Sequence, residues 1–407
     1  MRLFKFLFKG EVVFAGFILS STFKGIIPYS PFDLTVLFMV WSFFIALKRV
    51  MRNPTLDKVS ILPIVLYFSS AIMVIFSLTY TIGGKYGTDK ALMFVSLTAW
   101  SFVGVFFLIR NAESLHLFLK GIIFYSMITV CYVVFDYFSG GLVTGYNRIG
   151  IDGGNTIGLA RVSGLAVLVL LVMYIYKKVH IKQKILALLM ILLSITTLML
   201  SGSRMPLIAL LATIIVLFLW SISFQKVKFS MDVRISKKIL LLLAAIPIMI
   251  VSLIPFINTG MFYTTIERFT SLFSGESIDS KRIELYRSAI SLWEENPLFG
   301  GGIGSFPIHY WGVDGRAYPH NFFLESLSEL GIFGFLFIVL LVLFSFITIW
   351  KTRKKGMNNL QLAIALIFLF LLLNANVTGD INDNRYLFTF IALTFCLNLF
   401  EYKKDTL

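Results

Sequence analysis

Charged side chains are scarce in this chain. Asp, Glu, Lys and Arg together make up 14% of its 407 residues, whereas soluble proteins carry about 25%. Hydrophobic residues make up 58%. This composition excludes an ordinary soluble domain and is typical of a polytopic membrane protein. Apolar segments near the roughly 20 residues that a spanning helix needs lie at about 11–28, 31–47, 61–82, 91–109, 120–138, 156–176, 184–201, 205–224, 238–256, 321–350, 360–377 and 386–400.

Cysteine is also rare, and both cysteines, Cys131 and Cys396, lie inside apolar segments. They form neither a disulfide framework nor a metal site. Short segments of alternating polarity, which would indicate a membrane β-barrel, are absent as well. We therefore predict an all-α fold, a polytopic helical bundle of about twelve spans. It forms a single membrane domain over residues 1–407, with a large loop at 257–320 between the ninth and tenth spans.

Acidic residues are outnumbered by basic ones, 21 to 36, which gives a net charge of +15. If the N-terminus is cytoplasmic, about two thirds of the basic residues fall in loops on the inner side, in accordance with the positive-inside rule. The charge is thus a topology signal. It gives no indication of nucleic-acid binding, because no basic stretch is interleaved with aromatic residues. We expect both termini in the cytoplasm and the 257–320 loop outside.

Three outer arginines lie at or inside the apolar boundary: Arg161, Arg204 and Arg385. Placing an Arg at membrane depth costs about 3 kcal/mol or more, so such a residue usually faces a polar cavity or a partner. Plain structural roles also exist. Arg204 could extend to the headgroups, Arg161 could form a salt bridge, and Arg385 could pair with the nearby Asp380 and Asp383.

Several guanidinium groups beside the membrane suit a particular ligand. A guanidinium binds phosphate through a planar fork of donors and stays charged at any pH. A diphosphate attached to a membrane lipid would lie at this depth, whereas a soluble anion would not need arginines so close to the hydrocarbon. These arginines therefore favour a site for a lipid diphosphate on the outer side.

The predicted outer loop contains an amphipathic helix over Ser280–Glu295, with Ile283, Tyr286, Ile290 and Trp293 on one face. Asp279 or Ser280 could cap this helix, and Asn296-Pro297 would end it. Its first turn carries Arg282, and Arg287 follows further along. The glycines at 300–302 and 304 allow either a flexible turn or a close backbone approach, and no phosphate-loop Lys follows them.

His320 stands at the entrance of the next apolar helix. An imidazole with a near-neutral pKa can take a proton from a hydroxyl nucleophile, although a plain helix-cap or interfacial role is the alternative. Asn321 could cap the helix. Glu325 and Glu329 fall within the next two turns. There they either shift the pKa of the histidine or interact favourably with the helix dipole. Glu329 is the rival candidate for the base.

The ordered set of these motifs resembles the O-antigen ligase and O-antigen polymerase superfamily. The resemblance is strongest over about 260–335 and looser over the rest of the chain. It is carried by the following residues in order: Asn147-Arg148 through Asn155 to Arg161, Leu200-Ser201-Gly202-Ser203-Arg204, Arg268-Phe269, Ser280-Lys281-Arg282, Asn296 to Phe306, and His320-Asn321 with Leu324, Glu329, Gly331 and Gly334.

This resemblance implies a GT-C-like, metal-independent glycosyltransferase without a cofactor. It would move a glycan from an undecaprenyl diphosphate carrier to an acceptor hydroxyl outside the bacterial cytoplasmic membrane. Arg204 and Arg282 would hold the diphosphate and Arg161 or Arg148 would assist. His320 would activate the acceptor, and Glu329 is the second catalytic candidate. Asn321, Arg287 and Arg385 are supporting candidates.

Three functions remain open at this stage. A repeat-unit polymerase for O-antigen, capsule or exopolysaccharide would use a second carrier-linked glycan as acceptor, and a chain-length regulator could be its partner. A ligase would use lipid A-core. A flippase for lipid-linked glycans is the alternative from another class, but it would need paired broken spans and repeat symmetry, which the sequence does not show. We favour the polymerase.

Overall fold

The computed structural model describes residues 2–27, 30–53, 61–139, 156–175, 179–227, 230–235 and 278–401. Within these ranges the regular secondary structure is helical apart from one antiparallel hairpin. In chain order the elements are α1 Arg2–Leu7, α2 Gly10–Phe23, α3 Leu34–Arg52, α4 Ile61–Ser77, α5 Lys85–Leu108 with a π-helical turn at Phe94–Thr98, α6 Ala112–Phe138, α7 Thr156–Leu170 continued by a π-helical turn at Leu171–Ile175, α8 Ile181–Leu200, α9 Arg204–Ser221, β1 Ile222–Val227, β2 Ser230–Ile235, α10 Ile278–Glu295, α11 Phe306–Trp311, α12 Phe322–Lys355, α13 Asn359–Ala375 and α14 Arg385–Phe395.

Six of the described helices are long and apolar enough to cross a membrane: α3, α5, α6, α7, α8 and α12. The shorter apolar helices are α2, α4, α9, α13 and α14. The predicted apolar segments overlap helices wherever the structure describes them, and the segment near 238–256 lies outside the described residues. A helical membrane protein is therefore confirmed, while the count of twelve spans, the GT-C likeness and the single-domain organisation stay predictions.

Contacts divide the chain into two compact units. Unit one comprises Met1–Ile18, Phe32–Gly121 and Ser274–Leu407, and unit two comprises Leu19–Pro31 and Ile122–Phe273. In unit two, α7 packs against α8 and α9. Leu159 of α7 and Leu200 of α8 share one buried apolar cluster with Val133. The N-terminal end of α7 therefore lies beside the C-terminal end of α8.

In unit one, α12 packs against α4, α10 and α14, and α14 also packs against α5 and α13. The centre is aromatic. The ring of Tyr67 stacks on Phe94 and on Phe102, and its hydroxyl donates a 2.9 Å hydrogen bond to the carbonyl oxygen of Phe94, where the π-helical turn of α5 begins. A buried tyrosine hydroxyl needs such a partner, since leaving it unpaired would cost free energy.

Gly331 breaks α12 into two arms. Its φ of 64° and ψ of −169° are not helical, and essentially only glycine adopts them. We call residues 322–330 the short arm and residues 332–355 the long arm. The sequence showed no pair of broken spans, whereas the structure shows one interrupted helix, α12.

The glycine run replaces the hydrogen bonds that are lost at this break. The amides of Gly301 and Gly302 each donate at 2.9 Å, to the carbonyl oxygens of Ser328 and Glu329 respectively. In return, the amides at the start of the long arm donate to the carbonyls of Pro297 and Leu298. A side chain at Gly300, which has a φ of 73°, would collide with the backbone of residues 329–331. The glycines are therefore needed for a close backbone approach, the second of the two expectations.

Candidate functional site

His320 lies immediately before the short arm in an unusual backbone conformation. Its φ is 57°, and it is the single non-glycine residue with a positive φ within the described ranges. Such strain persists only where surrounding contacts hold it, and it concentrates at functional sites. The ring of His320 meets the ring of Tyr318 edge-on at 4.6 Å between centroids. The next residue, Asn321, caps α12 by accepting hydrogen bonds from the amides of Phe323 and Leu324, as predicted.

The electrostatic surroundings favour the neutral form of His320. Burial lowers the pKa of the imidazole, and the positive charge of Arg282 lowers it further, while Asp383 acts in the opposite direction. The charge of Arg282 on α10 therefore acts on His320, which directly precedes the cap of α12. A neutral imidazole is the form that accepts a proton.

Arg282 is carried by α10, whose existence was predicted but whose buried face was not. The buried residues are Leu285, Ala289 and Leu292, packed with Phe306 and Ala317. The predicted face was wrong, since Ile283 and Ile290 are 45% and 40% exposed. The helix ends at Glu295 as expected, but it begins at Ile278, so Asp279 and Ser280 lie inside it.

The orientation of α10 leaves Arg282 half-buried and Arg287 exposed. The helix is anchored by its small and aliphatic side chains, while its aromatic residues Tyr286 and Trp293 are half-buried. The charge of Arg282 acts on His320, whereas Arg287 is left to solvent as a supporting candidate at most.

A second charged group near His320 joins Arg316, in the loop before α12, to two aspartates in the loop before α14. Arg316 donates a 2.8 Å hydrogen bond to Asp383 and lies 3.8 Å from Asp380. Its guanidinium also lies over the ring of Tyr318, 5.7 Å from the centroid. Arg316 is 58% exposed and Asp383 31% exposed, so an external molecule can reach both.

These contacts correct the expected partner of Arg385. Asp380 and Asp383 contact Arg316, whereas the guanidinium of Arg385 lies 5.6 Å from the ring centroid of Phe17. Arg385 is the first residue of α14 and is buried. Sequence reasoning chose Arg385 because it is adjacent in the chain, but the helix start turns its side chain towards α2.

Burial also affects the carboxyl group of Asp380. Burial and the neighbouring charge of Asp383 raise its pKa. The carboxylate accepts hydrogen bonds from the backbone amides of Asn382 and Asp383 and lies 3.4 Å from the hydroxyl of Tyr86. Asp380 therefore shapes the loop, and Asp383 is the member of the pair that faces outward.

A buried cluster of three charged residues joins α5 to the short arm of α12. Lys90 Nζ lies 2.5 Å from Glu325 Oε1 and donates a 2.6 Å hydrogen bond to Glu329 Oε2. All three side chains are 1% exposed. Glu329, the predicted rival base, is thus engaged with a lysine and shielded from solvent.

Sequence reasoning missed Lys90 because the apolar segment was started at residue 91. One signal was available: Glu325 and Glu329 are four residues apart, so they share one helix face. Two carboxylates on the same face of an otherwise apolar helix indicate a charged or polar partner on a neighbouring helix.

Two of the candidate arginines, Arg161 and Arg204, belong to unit two. Arg161 lies within α7 and is buried, and Arg204 begins α9 and is half-buried. Because Leu159 and Leu200 share one apolar cluster, the chain segments that carry the two arginines lie at the same end of unit two. Arg148, the other candidate, lies outside the described residues.

The described residues contain no group of three or more His, Cys, Asp or Glu side chains that could hold a metal ion. The groups that act on His320 are instead Arg282, Asp383 with its partner Arg316, and the ring of Tyr318. Such an arrangement can bind an anion and orient hydroxyl groups.

One comparison with known proteins gives a match. Residues 187–339 match the family model described as O-antigen ligase. No curated protein matches the chain. The matched segment contains Arg204, Arg282, His320 and Glu329, and it ends after the break at Gly331. It confirms the resemblance to the O-antigen ligase and polymerase superfamily and supports a membrane glycosyltransferase of that type.

Proposed function

We propose that this chain, with its O-antigen ligase-type segment, transfers a glycan from a polyprenyl diphosphate carrier to an acceptor hydroxyl at the outer face of the cytoplasmic membrane. The observation that carries the proposal is the strained backbone of His320 together with the positive charge of Arg282, which lowers the pKa of its imidazole. A proton acceptor and an anion-binding group at one point are what this transfer needs.

In the proposed reaction His320 takes the proton from the acceptor hydroxyl. The hydroxyl oxygen then forms a bond to the anomeric carbon of the donor sugar, and the bond between that carbon and the phosphate oxygen breaks. The electron pair leaves with the lipid diphosphate. Arg282 stabilises the charge that develops on the leaving group, since guanidinium binds phosphate oxygens through two parallel hydrogen bonds. Arg204 is the other candidate for this role.

The charges around His320 also suggest how the two substrates are arranged. Arg282 is suited to the anionic donor. Arg316 and Asp383, which are accessible to solvent, and Tyr318, which contacts the imidazole, are suited to the hydroxyl groups of an uncharged acceptor sugar. We therefore place the acceptor sugar beside Tyr318 and Asp383.

We favour a repeat-unit polymerase, with a second carrier-linked glycan as acceptor and a chain-length regulator as partner. An O-antigen ligase acting on lipid A-core is the alternative within the same chemistry. The broken helix α12 is a feature that transporters also use, but the base and the anion-binding group at one site favour an enzyme over a flippase.

A single-turnover assay tests the proposal. Purified protein in liposomes is mixed with a polyprenyl diphosphate-linked oligosaccharide as donor and a second lipid-linked oligosaccharide or lipid A-core as acceptor. General base catalysis contributes about 10²–10⁴-fold, so His320→Ala should lose that much rate. His309→Ala is the matched control, because His309 lies in the neighbouring helix α11 and its acidic partner is Glu295 at 3.8 Å. Wild-type rates in His320→Ala would refute the proposed base.

A further inference from the structure

The cluster of Lys90, Glu325 and Glu329 has no part in the proposed chemistry, yet it is the most deeply buried group of charges among the described residues of unit one. Ionisable residues within membrane helices are costly and are usually retained for a function. Exposure of only 1% keeps both carboxylates away from a sugar hydroxyl. A catalytic role for Glu329 is therefore unsuitable, and another role has to explain the cluster.

The cluster joins three elements at the site. Lys90 belongs to α5, and both carboxylates belong to the short arm. The backbone carbonyl of Lys90 accepts a 2.8 Å hydrogen bond from the side-chain amide of Asn382 in the loop before α14. Asn382 accepts in turn from the hydroxyl of Thr98, at 2.9 Å. Tyr86, one turn before Lys90, reaches Asp380 in the same loop.

The short arm needs such an anchor because its backbone is interrupted. Gly331 separates it from the long arm, so the helix alone does not fix its direction. Its first residues follow His320 directly, and Asn321 caps it. Any rotation of the short arm would therefore displace the imidazole relative to Arg282 and Asp383.

We infer that Lys90, Glu325 and Glu329 are positioning residues that clamp the short arm to α5 and thereby hold His320 in place for glycan transfer. This inference depends on the proposed function. Lys90 binds both carboxylates, which lie one helical turn apart, so it restrains both the rotation and the tilt of the arm. The cluster acts through His320 and does not contact the substrate.

The test uses a variant that removes all the charges together. Lys90→Met alone would leave two buried carboxylates without their cation and risks misfolding. Replacing a whole buried ion cluster by neutral groups is often tolerated. We expect the triple variant Lys90→Met/Glu325→Gln/Glu329→Gln to fold and bind the lipid diphosphate-linked donor as the wild type does. Its kcat should fall about 100-fold, because displacement of a catalytic group by about 1 Å has effects of that size.

Two controls separate positioning from plain stability. The double variant Arg49→Met/Glu11→Gln removes another ion pair of unit one, with a 2.9 Å contact, and should keep the wild-type kcat. The triple variant is also combined with His320→Ala. If the cluster acts through His320, the combination should be no slower than His320→Ala alone, because the two changes remove the same contribution.

Each outcome has a distinct meaning. A triple variant with wild-type kcat, when His320→Ala is inactive, overturns the positioning role and leaves the proposed function intact. A further 100-fold loss in the combined variant assigns the cluster a role independent of His320 and also overturns the inference. Full activity in His320→Ala removes the proposed base, and the positioning role fails with it.

Discussion

Arg316 and Asp383 form a 2.8 Å hydrogen-bonded ion pair beside the candidate base, and the pair is partly open to solvent. Exposed ion pairs contribute little to stability, about 0–1 kcal/mol. Replacement of either partner should therefore leave the fold intact, so that any effect on turnover reports on the site.

We expect Asp383→Asn and Arg316→Met to raise KM for the acceptor about 10- to 100-fold while KM for the donor stays within about twofold. The physical reason is that each removes one charge-assisted hydrogen bond to an acceptor hydroxyl, a contribution of about 1.5–3 kcal/mol. The measurement is steady-state transfer with each substrate varied in turn. Equal effects on both KM values would contradict an acceptor site at this pair.

Arg282→Lys and Arg204→Lys should each be nearly as damaging as the change to Ala. Lysine keeps the charge but cannot reproduce the planar fork that binds two phosphate oxygens. Donor binding and single-turnover rates measure the effect, and Arg287→Lys, on the exposed side of α10, provides the comparison. Full activity in both lysine variants would reduce Arg282 and Arg204 to interfacial cations.

The pH dependence should follow the lowered pKa of His320. The neutral ring is the active form, so kcat is retained above that pKa and is lost as the pH falls through it, at values below the ordinary 6.5. Asp383 raises this pKa, so in Asp383→Asn the acid limb should move to still lower pH. A limb that stays at the same pH in Asp383→Asn, but disappears in Glu329→Gln, would instead indicate Glu329 as the base.

Gly331→Ala should destabilise unit one. The φ of 64° with a ψ of −169° costs an alanine about 1–3 kcal/mol, and its Cβ would meet the carbonyl of Leu298. Thermal unfolding in detergent should show a lower Tm and a smaller folded yield. Gly315→Ala is the control, since a Cβ there meets nothing within 4 Å. Equal Tm values for the two variants would show that the break is not required.

Transfer should survive a strong chelator. The acidic residues of α10, such as Glu284 and Glu294, are spread along the helix and do not converge on a point where Mg²⁺ or Mn²⁺ would find an oxygen cage. Single-turnover rates with and without chelator make the comparison. Activity that disappears in chelator and returns with a divalent cation would establish a metal requirement.

The sequence by itself determined the membrane class, the approximate helix boundaries and the residue types of the site. Apolar runs of spanning length predict helices directly, because a chain in lipid has to satisfy its backbone hydrogen bonds internally. The roles of Asn321 as a helix cap and of Asn296-Pro297 as a helix end were also legible, since both are local properties. Arg282 and His320 were identified by their chemistry and their position at apolar boundaries.

Only the tertiary structure decided which charges face one another. Lys90 lies 239 positions from Glu329 in the chain and binds it. Asp383 forms its 2.8 Å ion pair with Arg316, which is 67 positions away in the chain. Sequence patterns report periodicity along one helix, so they indicate that Glu325 and Glu329 share a face but not which helix packs against it. The break at Gly331 was likewise hidden, because its missing hydrogen bonds are supplied by residues 297–302, which are distant in the chain and adjacent in space.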